Sequence, residues 1–258
     1  MLSSLYNHSH SESENHQVSY TLKVSARAMT PRLKMTPHGG LVVVIPERYN
    51  KRHIPALLLR HHSWIKKAAE RLDAIRPTPV PLTESGLPYT IEFHFFDKKW
   101  NVVYNNKGRG VVTVDDESGP RLLVSADPDN TELCNRQLLT WLKRQAEQHL
   151  IPSFEKLAEA HNFEYSDALV RLQHSRWGSC SSRKLITLNT KLLFLPDHLV
   201  RYIMIHELCH TVHMNHSKAF WSLVSEHDPL WRMNNTEMKN AWKYVPAWVC
   251  IKPVNHHN

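Results

Sequence analysis

Residues 206–210 read His-Glu-Leu-Cys-His, and this spacing constrains the fold more than any other feature of the chain. At about 100° per residue, positions i and i+4 of an α-helix lie about 40° apart on one face, one turn along. Two imidazoles placed in this way can grip one metal ion. Glu207, rotated beside them, can reach a water without ligating the ion. The preceding residues support a buried helix, because Leu199, Val200, Ile203, Met204 and Ile205 are apolar. The chain holds 19 histidines, so an HExxH match alone is a weak signal. Its place in an apolar helix, with further histidines behind it, is what gives it weight.

A hydrolytic metal site needs three protein ligands and an open fourth position. Further along, the chain offers His213, His216, Glu226 and His227. His213 falls on the same helix face as His206, but seven residues rise about 10.5 Å along the axis, too far for three imidazoles to converge. It is expected beside the site or facing substrate. His216 requires the helix to stop after about residue 213 and the chain to turn back. Met214-Asn215 can provide that turn, since Asn tolerates the left-handed conformation, and Ser217 can cap a new helix carrying Phe220 and Trp221. His216 is the favoured third ligand, and Glu226 the runner-up.

The rest of the chain reads as an α+β protein. Residues 1–19, including His8, His10 and His16, form a polar segment expected to be a disordered tail. His256 and His257 lie in the other tail. A β-rich N-terminal region with one helix is expected over 20–126, and a hydrolase domain over 127–258. Leu41–Ile45 is a β-branched run after the turn signal Thr36-Pro37-His38-Gly39-Gly40. Ile54, Leu57, Leu58, His61, Ile65, Ala68, Ala69 and Leu72 recur at helical spacing, predicting one helix over 53–75 that Pro77, Pro79 and Pro81 end. Four short β-prone runs between Tyr89 and Ser125 suggest a meander. Long helix patterns come next at 131–161 and 196–214, and shorter ones at 217–227 and 236–244.

Charge is unevenly spread. The chain has 32 Lys and Arg against 24 Asp and Glu. Residues 21–76 alone hold 12 and 3, whereas 77–130 hold 5 and 8. The basic segment suits a nucleic acid or another polyanion, though a solvated basic face has the same composition. No apolar run approaches the roughly 20 residues of a membrane span. The N-terminal segment lacks the basic and apolar parts of a secretory signal. Cys134, Cys180, Cys209 and Cys250 form no CxxC pair, and reduced thiols in a cytoplasmic protein are expected.

One segment before the HExxH helix also matters. His174-Ser175-Arg176-Trp177-Gly178-Ser179-Cys180-Ser181 precedes the strand Leu185–Asn189. An extended edge beside a metal-bearing helix can dock a peptide by strand addition. Equally, Gly178 can serve close backbone approach and Trp177 the core.

Arg176-Trp177-Gly178-Ser179-Cys180, then His206-Glu207-Leu208-Cys209-His210, then His216-Ser217 and Phe220-Trp221 together resemble the YgjP-like (WLM/SprT-related) zinc metallopeptidase family. The strong match covers about residues 170–230, and a looser one covers 20–76. The resemblance implies a helical zincin-like catalytic core with a small antiparallel sheet. It implies Zn2+ held by His206, His210 and His216, with Glu207 as the catalytic acid/base. The expected reaction is hydrolysis of a peptide or protein substrate, with Arg176, Trp177 and His213 as candidate substrate-binding residues. Arg176, Tyr202 and His213 are candidates to stabilise the oxyanion. Two alternatives stay open: hydrolysis of a nucleotide phosphoanhydride, and a nucleic-acid-associated protein whose metal site is structural.

Overall fold

A computed structural model describes residues 19–36, 40–74, 81–105, 110–117 and 119–250. The expected N-terminal tail, its three histidines, the turn centre at 37–39, Pro77 and Pro79, the loop at 106–109 and the C-terminal His256 and His257 lie outside those residues. The chain divides into two compact units, Met1–Arg76 and Pro77–Asn258. Among the described residues there are six α-helices and three small mixed sheets, with strands concentrated in the first half. This is an α+β fold. No described helix is long and apolar enough to cross a membrane.

The first unit contains β1 (Tyr20–Val24), β2 (Arg32–Thr36), β3 (Gly40–Ile45), α1 (Ile54–Arg60) and α2 (His62–Ala74). β3 is central, parallel to β1 and antiparallel to β2. Its alternation follows the pleat: Leu41, Val43 and Ile45 are buried, while Val42 and Val44 are half-buried. Val43, Ile45 and Ile54 make the core, with Leu22, Leu33, Tyr49, Leu57 and Leu58 against it. The single helix expected over 53–75 is two. The chain turns at His61, whose N–H bonds back to the carbonyls of Leu57 and Leu58.

The second unit begins with β4 (Thr90–Phe93), β5 (Lys98–Asn105), β6 (Gly110–Asp116) and β7 (Gly119–Ser125). These do not form the expected meander. β7 inserts between β5 and β6, parallel to β5 and antiparallel to β6. The physical reason is burial: Leu122 and Val124 of β7 are fully covered, and the central position suits the strand that buries most. One continuous core runs from Leu87 through Val249. Phe93 of β4 stacks on Trp141 of α3 (Thr131–Ala160) at 5.4 Å between ring centroids. The strands and the long helix are therefore one structure, and the break lies at Arg76/Pro77.

α3 is capped by the Asn130 side chain, which accepts from the N–H of Leu133, and it runs through Pro152. After it come β8 (Asp167–Arg171), β9 (Gly178–Cys180) and β10 (Leu185–Asn189). β10 is central, parallel to β8 and antiparallel to β9. The small sheet of the core is thus half antiparallel and half parallel. α4 (Asp197–Cys209) packs on β9 and β10, and α5 (Lys218–His227) and α6 (Trp231–Met238) pack on α4. Two 3-10 turns, Ala241–Tyr244 and Ala247–Cys250, end the described chain. All three sheets contain one path, a strand followed by a hairpin whose second strand lies beside that strand and parallel to it, and the four-stranded sheet adds β4 antiparallel to β5.

Candidate metal centre

α4 places His206 and His210 one turn apart, with ring centroids 4.8 Å apart. The helix ends at Cys209 rather than near 213, and a tighter turn comes after it. Thr211 and His213 donate their N–H groups to Leu208 and Cys209. The chain then reverses without the left-handed Asn215 that the sequence suggests, since Asn215 is not among the residues of positive φ. Ser217 accepts from the N–H of Phe220 and starts α5, as its position predicts. This reversal brings His216 Nε2 to 3.1 Å from His206 Nε2.

The ligating atoms of His206, His210 and His216 all lie within 4.8 Å of one another. Metal–nitrogen bonds of about 2.0–2.1 Å in a tetrahedral set put nitrogens about 3.3–3.4 Å apart, so one ion fits the three. Among the described residues this is the one such group of His, Cys, Asp and Glu. Glu226 is exposed and outside it, near enough to Cys209 to raise that thiol. The His213 side chain is outside it too, but its carbonyl accepts a hydrogen bond from His210 Nδ1 at 3.0 Å. A carbonyl only accepts, so Nδ1 carries the hydrogen and Nε2 keeps its lone pair. Burial lowers the His206 pKa to about 3, helped by the neighbouring His210 and His216. His210 is lowered as well, chiefly by burial. Near neutral pH both rings are uncharged lone-pair donors, which is what a divalent ion requires.

Phe220 is the shared floor of the three imidazoles. Its ring centroid lies 5.0, 4.4 and 4.8 Å from those of His206, His210 and His216. It is fully buried. Trp221 leans on His216 and stacks on Trp231 at 4.6 Å. The sequence signal for this floor was the apolar pair that opens α5 four residues after His216.

Glu207 is buried, with 5 % of its surface exposed. Burial pushes its carboxyl up to about 8, partly offset by the Arg176 guanidinium. It packs against the backbone of β9. A Cβ on Gly178 would lie 2.7 Å from both Cγ and Oε1 of Glu207, so glycine is required there for close approach. β9 is the edge of its sheet. Trp177 O accepts from Asn189 N, and Ser181 N donates to Leu185 O. By antiparallel alternation, Gly178 and Cys180 turn their backbone groups to the open edge.

The other candidates sort by their surroundings. Arg176 is exposed beside the site. Trp177 is half-buried and packs against Trp242, 4.6 Å between centroids. Tyr202 is buried and donates its hydroxyl to Asn235 Oδ1 at 3.2 Å. Burial pushes the Cys180 thiol up to about 11 and the Cys209 thiol up to about 12, leaving both protonated at neutral pH.

No curated protein and no solved structure matches the chain. The family model of the YgjP-like metallopeptidase domain matches residues 29–241, a span that contains the histidine triad, Glu207 and the β9 edge. The chain belongs to the YgjP-like metallopeptidase family.

Proposed function

We propose that the protein is a zinc-dependent peptidase in which His206, His210 and His216 hold the ion and Glu207 handles the proton. The observation that carries this reading is the packing of buried Glu207, next in sequence to one of the three ligands, against Gly178 of an open strand edge. Bound there, zinc supplies Lewis acidity and lowers the pKa of a water toward about 7. A cation near Glu207 also draws its raised pKa back down. The carboxylate then exchanges a proton near neutral pH, taking one from the attacking water and returning it to the leaving amine. A peptide strand lies along β9, its main chain bonded to the outward N–H and C=O groups of Gly178 and Cys180. Arg176 faces the substrate.

A strand edge matches an extended peptide, whereas a phosphoanhydride has no use for paired main-chain donors and acceptors. This favours the peptide over the nucleotide. Glu207→Gln is expected to abolish peptide cleavage while one zinc per chain is retained. Full activity in that variant would sink the mechanism, and turnover of nucleoside triphosphates without peptide cleavage would replace the substrate class. All four cysteines are free, as a reducing compartment keeps them, and we place the protein in the cytoplasm on that ground.

A second reading concerns the first unit. Lys23, Arg32 and Lys34 are exposed and share the sheet face opposite Val43 and Ile45, by the register Lys23↔Val44, Arg32↔Val44 and Lys34↔Val42. We propose that this face contacts the phosphate backbone of a nucleic acid. Replacing all three by Ala is expected to lower the salt dependence of DNA or RNA binding by about three counterions, at roughly 0.9 per contact. An unchanged salt slope would remove this partner.

A further inference from the structure

The segment that carries Arg176, Trp177 and Gly178 is held from behind by buried groups that the proposed chemistry does not use. Asn189 is fully buried, and both ends of its amide are engaged. Oδ1 accepts from the N–H groups of Gln173 and Lys191, and Nδ2 donates to the carbonyls of Gln173 and Arg176. Its own N–H donates to Trp177 O. Lys191, 1 % exposed, donates from Nζ to Gln173 O at 3.0 Å and also hydrogen-bonds the Cys250 thiol. Its ammonium sits 5.0 Å from the ring centroid of Trp242, and Trp242 packs on Trp177.

A buried ammonium is costly unless paired. No described ion pair includes Lys191. What it receives instead is a backbone carbonyl, a thiol and an aromatic face. For stability alone, an apolar side chain of similar volume would serve as well or better. The polar choice fixes a place: it ties residue 173 and, through Trp242, residue 177 to the start of Thr190–Phe194, the 3-10 turn after β10. Trp242 and Cys250 also lie beyond residue 241, where the family match ends.

We propose that Asn189, Lys191 and Trp242 are positioning residues that set the register and height of the β9 edge along which the peptide lies. The C-terminal turns, Trp242 and Cys250 included, complete this brace from outside the family-matched region. The inference rests on the peptidase reading for its kinetic consequence only.

The experiment uses the full chain with zinc, comparing wild type, Lys191→Met, Trp242→Ala and Trp242→Phe. Lys191→Met is expected to keep one zinc per chain and a thermal midpoint equal to or above wild type. Its KM for an unstructured peptide is expected to rise ~10-fold, the scale of one lost hydrogen bond to a charged group, with kcat changed less. Trp242→Ala should raise KM likewise, and Trp242→Phe, which keeps an aromatic face, should restore it. Amide hydrogen exchange of residues 176–180 is expected to quicken in Lys191→Met and Trp242→Ala, while exchange in α4 stays unchanged. Unchanged exchange at 176–180, or faster exchange with unaltered KM, overturns the proposal. A wild type that cleaves no peptide refutes the peptidase reading instead, and the exchange data then decide the brace by themselves.

Discussion

The two three-stranded sheets, β1-β3-β2 and β8-β10-β9, have the same strand order and the same parallel and antiparallel pairings, yet they are used in opposite ways. β3 reads Gly-Leu-Val-Val-Val-Ile and buries alternate residues, so one face is fully covered and the other only half-covered. β10 reads Leu-Ile-Thr-Leu-Asn, is less apolar, and is buried at four of its five positions. The apolar content of a central strand therefore does not tell how many faces are covered. The deciding elements lie outside the sheet, both before and after it in the chain. α3 packs on β8 and α4 on β9 and β10, whereas within its own unit the first sheet packs against residues of α1 and α2. Layering on both faces fixes a strand edge firmly enough to hold a buried carboxylate. One-sided cover leaves a basic face.

The largest expected effect tests that difference in layering directly. Ile186 of β10 and Ile45 of β3 are both fully buried. Ile186→Ala is expected to cost about 4–5 kcal/mol and Ile45→Ala about 2–3 kcal/mol, because a small core relaxes around a cavity more readily. Chemical denaturation checks this. Trp64 is the one tryptophan of residues 1–76, so a variant that keeps only this tryptophan reports the first unit by itself. Equal costs would break the contrast between the sheets.

The next effect concerns the edge strand. Gly178→Ala is expected to displace Glu207 and lower kcat by about 100-fold or more, within the range for a lost general base, while metal content is unchanged. Full activity in that variant would mean that β9 holds Glu207 no more closely than β2 holds any side chain. The smallest effect is on acid stability. Burial lowers the pKa of His149, with Lys98 adding, and of His161, with His227 and Arg201 adding. A histidine lowered in the folded state binds fewer protons than in the unfolded chain, so stability falls as pH drops below about 6.5. Thermal midpoints of the second unit should decline from pH 7 to pH 5, and less steeply in His161→Gln. His161 accepts from Arg201 at Nε2 and so can donate only from Nδ1, to His227 Nδ1 at 2.9 Å. A second proton on either ring breaks that chain of bonds.

Local spacing made the centre of the site legible. His206 and His210 meet because 3.6 residues make a turn, and Ser217 caps α5 because a hydroxyl there satisfies a free N–H. Glu226 stayed a rival to His216 because two residues, Met214 and Asn215, decide where the chain reverses, and the reversal did not use the conformation that Asn favours. The seat of Glu207 was half legible: Gly178 pointed to a close approach, but its partner lies far along the chain, on a different element. The clamp of Asn189 and Lys191 was hidden, since both read as ordinary polar residues after a strand. The order β4-β5-β7-β6 was hidden for a similar reason. Four similar short strands are compatible with several orders, and only the burial of Leu122 and Val124 selects one.

The shared path of the sheets has a consequence for synthesis. Each sheet closes within a single stretch of chain, Tyr20–Ile45, Thr90–Ser125 and Asp167–Asn189, so its contacts are local in sequence and fast to form. A chain emerging N-terminus first can finish each sheet before the next begins. The last of them is complete at Asn189, ahead of the first histidine of the triad. The strands of the edge are thus synthesised before the helix that brings His206 and His210, and the residues that brace the edge, Trp242 and Cys250, are synthesised after it.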